Sequence, residues 1–142
     1  ELELEVTESA VQTDERNLSI FQHLKQLGIQ LAIDDFGSGY SSFASLKHLP
    51  VDCLKIDKFF VDDIVNDMKS LTLFSSMIEM GQNLGYEITA EGVETSEQFS
   101  ILKKLGCENA QGFLFSKAIP FSDVRQRLKN EQLNRDHDSE VA

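Results

Sequence analysis

The chain opens on strict alternation. From Glu1 to Val6, Leu2, Leu4 and Val6 share one side and Glu1, Glu3 and Glu5 the other, which is the period of a strand with an acidic face. On an edge strand such a face is simply solvated. Inside a barrel it needs cations or polar partners, because buried carboxylates are costly. Thr7-Glu8-Ser9 reads as a loop. The period then changes. Leu18, Phe21, Leu24 and Leu27 recur at helical spacing and predict a helix from about Asp14 to Leu27, with two acids at its positive end and Gly28 as its stop. Ile29 to Ile33 is the next predicted strand, and it delivers Asp34.

The alternation of periods continues. Ser42 to Leu46 is predicted as a short helix halted at Leu49-Pro50, and Val51 to Asp57 as a third strand. On that strand Cys53, Lys55 and Asp57 share one face, Leu54 and Ile56 the other. Ile64, Met68, Leu71, Phe74 and Ile78 predict one long helix from about Asp62 to Leu84, with Met68, Met77 and Met80 as core filler. Glu87 to Ala90 is a fourth strand. Thr95 and Gln98 form a capping box for a helix carrying Phe99, Leu102 and Leu105. A short fifth strand over Asn109 to Leu114 precedes a last helix, Ser122 to about Leu128, and from Glu131 the tail is polar and frayed.

Strands alternating with helices imply parallel pairing through right-handed crossovers. In such folds functional groups gather at the C-terminal ends of the strands. The residues that fall there are Glu5, Asp34 with Asp35, Lys55 with Asp57, Glu91 with Glu94, and Gln111. Asp34 and Asp35 would point to opposite faces of a regular strand, so they converge only if the pleat relaxes at the strand end. Gly37 and Gly39 allow the following loop to fold sharply over such a site.

Composition narrows the chemistry. The 142 residues suffice for one domain, and 41% hydrophobic with 26% charged content is globular. A formal net charge of −11 disfavours nucleic-acid polymers and anionic membranes as partners. No apolar run reaches a membrane span and no export signal opens the chain, so a cytoplasmic location is expected, with Cys53 and Cys107 as buried thiols. Carboxylates without a His or Cys cluster favour Mg²⁺ or Mn²⁺ over zinc. A pair of such ions activates water and stabilises both oxygens of a phosphodiester displacement. Beside these acids Lys55 either orients that water, stabilises charge on phosphate, or simply pairs with Asp57. Glu91 reads equally as general base, supporting partner or solvated acid. No Ser-His-Asp order and no phosphate-loop lysine is present, and Gly37-Ser38-Gly39 lacks the third glycine of a dinucleotide fingerprint.

Five segments carry a resemblance. Glu5-Val6-Thr7-Glu8-Ser9, Asp34 through Ser42, Leu54-Lys55-Ile56-Asp57, Ala90 through Thr95 and Gln111 through Lys117 resemble the motifs of the EAL-domain cyclic di-GMP phosphodiesterases, in the family's order. The resemblance implies a TIM-like (β/α) barrel that hydrolyses cyclic di-GMP to linear pGpG with Mg²⁺ or Mn²⁺, two ions in the complete domain. It implies Glu5 and Asp34 as metal ligands, with Asp35 serving a second metal. Lys55 would orient the attacking water, Asp57 would assist at the metal-water cluster, and Glu91 would be the catalytic carboxylate. Glu94 and Gln111 would contact or support the site. Glu8 would anchor the loop from Phe36 to Ser42, which the family uses to link metal binding to homodimerisation. Ser38 and Phe113 stand where many relatives carry Thr and Tyr.

The family's Glu-Ala-Leu segment and a strand bearing an Asn ligand do not occur in this sequence. Five strands are expected where a closed barrel takes about eight, so residues 1–130 read as the C-terminal portion of an EAL domain, open rather than closed, with 131–142 as tail. The expectation is impaired catalysis by this piece alone, with exposed edges near Leu2 and Leu114. The alternatives are a degenerate cyclic di-GMP receptor or a half-barrel that assembles with another chain.

Overall fold

A computed structural model of the chain describes residues 2–11, 15–39, 46–47 and 49–127. Its elements run β1 (Glu3–Thr7), α1 (Glu8–Val11), α2 (Glu15–Gln26), β2 (Gln30–Phe36), β3 (Cys53–Ile56), α3 (Lys58–Asp62), α4 (Met68–Asn83), β4 (Glu87–Ala90), α5 (Ser96–Lys104) and β5 (Asn109–Ala110). The strands form one sheet in the order β1-β2-β3-β4-β5, every pair parallel. A sheet built this way has two unlike sides. Leu31, Ile33, Leu54, Ile56 and Ile88 pack into one core with Phe21 of α2, Phe74 and Ile78 of α4, and Leu102 of α5. The other side carries the alternate residues: Glu5 beside Ala32, Ala32 beside Cys53, Lys55 beside Thr89. Helices on one side of five consecutive parallel strands make an open, partial (β/α) barrel.

The predicted elements that fall within the described residues exist, and several boundaries move for local reasons. The long helix expected over Asp62 to Leu84 starts only at Met68, since Asp62 ends α3 and residues 63–66 form a turn. Asp67 interrupts it by accepting hydrogen bonds from Lys69 N and Ser70 N, which caps α4 at Met68. Met68 consequently lies 74% exposed rather than in the core, while Met77 is buried. The expected strand from Asn109 to Leu114 stops at Ala110, because the chain turns at Gly112 against the backbone of Val93. A Cβ at Gly112 would stand 2.2 Å from Val93 O. Thr7 continues β1 and Glu8 begins α1, where a loop was expected. The second strand runs on to Phe36, and the third is only Cys53–Ile56, with Asp57 serving as the cap of α3. The β4 bounds and the Thr95–Gln98 capping box match their prediction. Residues 121–127 are helical, one step earlier than expected, whereas most of the expected Ser42 to Leu46 helix and the tail from Glu131 lie outside the described residues. His23 is exposed, as a surface residue should be.

Of the two thiols expected to be buried, Cys53 is and Cys107 is only partly so, and desolvation keeps both protonated. Cys107 is pushed up to about 11 by desolvation, and Cys53 is raised by the same cause. No helix among the described residues is long and apolar enough to cross a membrane.

One contact sets how closely α4 approaches the sheet. A Cβ at Gly81 would meet Ile88 Cδ1 at 2.4 Å, and Ile88 is fully buried. Gly81→Ala gains about 1 kcal/mol of helix propensity but overpacks the core at a cost of about 1–3 kcal/mol. The expected result is an unfolding free energy lowered by about 1 kcal/mol, read as a lower urea midpoint at constant slope; a raised midpoint would mean that Ile88 rotates away freely.

Candidate functional site

The site begins with an irregularity in β2. Ile33 pairs with Leu54 but Phe36 pairs with Ile56, so three steps on β2 oppose two on β3. The extra residue is absorbed at Asp35, whose φ of 54° lies in the left-handed region. Such a conformation costs a non-glycine residue about 1–3 kcal/mol and persists only when its surroundings hold it. Here Ser38 donates from both N and Oγ to Asp35 O, at 3.1 and 2.7 Å. The bulge turns neighbours that would diverge onto one side. Asp34, Asp35 and Glu91 each offer a carboxylate oxygen, and these lie within 4.8 Å of one another.

Lys55 stands at the centre of this acidic group. Its ammonium is 2.7 Å from Glu5 Oε1, 3.0 Å from Asp34 Oδ1 and 2.7 Å from Glu91 Oε1, with the lysine side chain only 6% exposed. Burial pulls its pKa down, but the three carboxylates outweigh burial and hold it well above the usual lysine range. The contribution to stability is therefore complete below the ordinary lysine pKa, and it disappears only as pH rises through the elevated folded value. Glu91 is raised, first by desolvation and against the pull of Lys55. Gln111 Nε2 donates to the same Glu91 Oε1 at 2.7 Å. Asp35, although exposed, is raised first by desolvation and then by the neighbouring carboxylates Asp34 and Asp57. Asp57 accepts from Phe59 N and so caps α3.

The loops around these groups are laced tightly. Glu8, almost fully buried, accepts from Gly37 N at 2.9 Å and Gly39 N at 3.3 Å. A Cβ at Gly39 would stand 2.9 Å from Glu8 Oε1, so the loop lies directly on the carboxylate. The fold thus gathers Glu5, Asp34, Asp35, Lys55, Asp57, Glu91 and Gln111 at one rim, with Glu8 beneath the adjoining loop. Glu94 is set apart and pairs with Lys58 Nζ at 2.7 Å. Sequence reasoning passed over Lys58, and it read Gln98 only as a cap. Buried Gln98 also accepts from Glu94 N and donates to Val61 O, tying the loop after β4 to α3. A glutamine three residues after a capping threonine was the visible signal; its second partner lies 37 positions away.

A parallel α/β sheet with a convergent carboxylate cluster and a buried lysine at its C-terminal rim has the architecture of a partial (β/α) barrel with a candidate cation site. The chain belongs to the EAL domain family, whose model matches residues 1–118. It is 41% identical over 129 residues to the cyclic di-GMP phosphodiesterase NbdA of Pseudomonas aeruginosa, covering 90% of this chain and 16% of that protein. Among solved structures it is similar to the EAL domain of Mycobacterium smegmatis DcpA, with a TM-score of 0.84 and 41% identity over 90% of this chain and 58% of that one. It is also similar to a manganese and cyclic di-GMP complex of Klebsiella pneumoniae BlrP1, with a TM-score of 0.75 and 35% identity over 81% of this chain and 30% of that one. The chain therefore spans only part of the relatives it matches.

Removing the central cation leaves three carboxylates facing one another. Breaking a buried pair costs about 3–5 kcal/mol. Glu5 and Asp34 are 49% and 28% exposed, so water screens part of the repulsion. Lys55→Met is expected to lower stability by about 2 kcal/mol in chelator at neutral pH. An unchanged denaturation midpoint would show that solvent already screens the cluster.

Proposed function

We propose that this chain forms the C-terminal portion of an EAL domain, residues 1–130, and contributes the acidic rim for divalent-metal-dependent hydrolysis of cyclic di-GMP to linear pGpG. The observation that carries the reading is the convergence of Asp34, Asp35 and Glu91 around buried Lys55 at one rim. The names of the relatives and the cyclic di-GMP complexes of its structural neighbours support the substrate. An all-oxygen donor set fits Mg²⁺ or Mn²⁺, with Asp34 and Asp35 as holders beside Glu91, and with Glu5, which reaches the cluster through Lys55, as a further holder. A bound ion of this kind supplies Lewis acidity and a more acidic water. Within the chain, Lys55 fixes the directions of Glu5, Asp34 and Glu91 and offers a positive charge to an attacking water or a phosphate oxygen. Glu91 has Oε1 held by two donors and keeps a second oxygen for a water proton; its raised pKa suits a base working nearer neutrality. Asp57 stands beside Asp35 as a like charge that favours its protonated form. Glu8 holds the loop at Gly37 and Gly39, the segment by which a complete domain would pair as a homodimer in the cytoplasm.

Hydrolysis by the 142-residue chain alone is impaired in this reading, because the five strands among the described residues do not close a rim. A second reading, a half-barrel that completes itself on another chain, is favoured by the outer sides of β1 and β5, which have no strand partner among the described residues. A degenerate receptor would instead bind cyclic di-GMP without turnover.

Manganese titration followed by water-proton relaxation tests the metal set directly. The chain is expected to bind Mn²⁺, and Asp34→Asn or Asp35→Asn to weaken it by about tenfold or more. The exposed control Asp123→Asn should leave affinity unchanged. Affinity insensitive to the bulge substitutions removes the assignment. Robust hydrolysis of cyclic di-GMP by the monomeric chain with Mn²⁺ removes the impairment, and sedimentation of the same sample separates monomer from half-barrel assembly.

A further inference from the structure

Glu91 and Lys55 meet from different strands, so the end of β4 must be fixed against the end of β3. The backbone supplies one bond there, from Glu91 N to Ile56 O at 3.1 Å. Beyond it both segments leave the sheet. One passes through Asp57 into α3; the other passes through Gly92, at a φ of 67°, into the loop that opens α5. α3 is five residues long with one buried side chain, Val61, and is too short to fix its own direction. Gln98, itself buried, spans the gap between the two. Its Oε1 accepts from Glu94 N at 2.9 Å and Thr95 N at 3.0 Å, and its Nε2 donates to Val61 O at 3.2 Å. Val61 O also takes the turn bond from Asp63 N, so the amide grips α3 where that helix ends. At its other end α3 presses on the neighbour of Glu91. The stem of Lys58 lies over Gly92, where a Cβ would stand 2.3 Å from Lys58 Cγ.

Resting on the role given to Glu91 above, we infer that Gln98 is a positioning residue for that reaction: through α3 and Gly92 it holds Glu91 against Lys55. The choice of side chain points past the cap. Gln98 is the N3 residue of the capping box, and a box of this kind needs only an acceptor there, which Glu supplies as well as Gln. A carboxylate in the first turn would also gain from the helix dipole, which a neutral amide does not. What Gln has and ionised Glu lacks is a donor on the same head as the acceptor. That donor goes to Val61 O, 37 positions back in the chain. Cap and strut are thus two separable duties of one amide, and only the strut reaches the segment that follows Lys55.

Gln98→Glu separates the two duties, because it keeps the acceptor for both N–H groups and removes the donor. Those N–H groups and the helix N-terminus keep the new carboxyl ionised near neutral pH. The test follows hydrogen exchange at backbone amides and at the Lys55 ammonium, in the 142-residue chain with EDTA present. In the variant the Glu94 and Thr95 amides should stay protected. Exchange at Glu91 N and at the Lys55 ammonium should speed up roughly fivefold, the worth of one hydrogen bond. Leu31 N, bonded to Asp52 at the opposite end of the sheet, should be unchanged. Exchange at Glu91 and Lys55 that matches wild type overturns the inference, since Gln98 is then a cap alone. Acceleration that reaches Leu31 equally overturns it too. If the variant does not fold, the wild-type chain decides. In low urea the amides of Glu91, Glu94 and Thr95 are expected to open as one unit with a common urea slope, below that of Leu31. Thr95 opening while Glu91 stays closed overturns the inference. Because no metal is present, this result stands whether or not Mn²⁺ binds at the bulge, and its failure leaves the Mn²⁺ assignment intact.

Discussion

The site depends on one buried ammonium. Lys55 rises from the middle of β3, almost without solvent, and three carboxylates from β1, β2 and the end of β4 converge on it. Desolvating a lysine costs several kcal/mol, and only close, well-directed anions offset it. The reverse also holds. Without the lysine, Glu5, Asp34 and Glu91 would repel one another, and the rim would open toward water. The same contact thus makes the lysine tolerable and the acids close. Counting Asp35, one positive charge faces four carboxylates, so the cluster keeps a surplus of negative charge at hydrogen-bonding range. That surplus is what a hard divalent cation neutralises.

The bulge in β2 supplies the second requirement, direction. A regular strand offers one carboxylate per two residues to each face, spaced too widely for a shared ion. Placing Asp35 at positive φ brings the next acid to the same side, and the strain is held by contacts on every flank. Ser38 bonds its carbonyl, and Glu8 fixes the loop two residues on. Phe60 and Met77 close the space beneath Gly37, where an added Cβ would lie 2.6 Å from the Phe60 ring. Geometry of this kind comes from packing that leaves no alternative, not from flexibility.

Much of this was readable from the chain itself, and the failures share a cause. Asp34-Asp35 ahead of two glycines announced a site, and the shared rim followed from alternating strands and helices. The position of the bulge did not, because it reflects pairing with Leu54 and Ile56 from twenty residues away. The helix over Asp62 to Leu84 was misread because its apolar spacing runs unbroken through Asp67, and a cap overrides periodicity when its carboxylate finds two backbone donors. The fifth strand was overextended because the pressure of Val93 on Gly112 is a tertiary contact with no local trace. Lys58 escaped notice for the same reason: its partner Glu94 lies 36 positions on.

The two ends of the rim solve a single electrostatic problem. A chain of net charge −11 repels an anionic ligand at long range, so attraction must come from short-range terms. At the bulge, the carboxylates around Lys55 keep a surplus of negative charge that a cation would have to offset before an anion could approach. At the Gly112 turn there is no such surplus, because Lys58 and Lys117 lie among Glu94, Asp62 and the Phe113 ring. Gln111 marks the boundary between the two, with its backbone carbonyl tied to Val93 and its side-chain amide to Glu91.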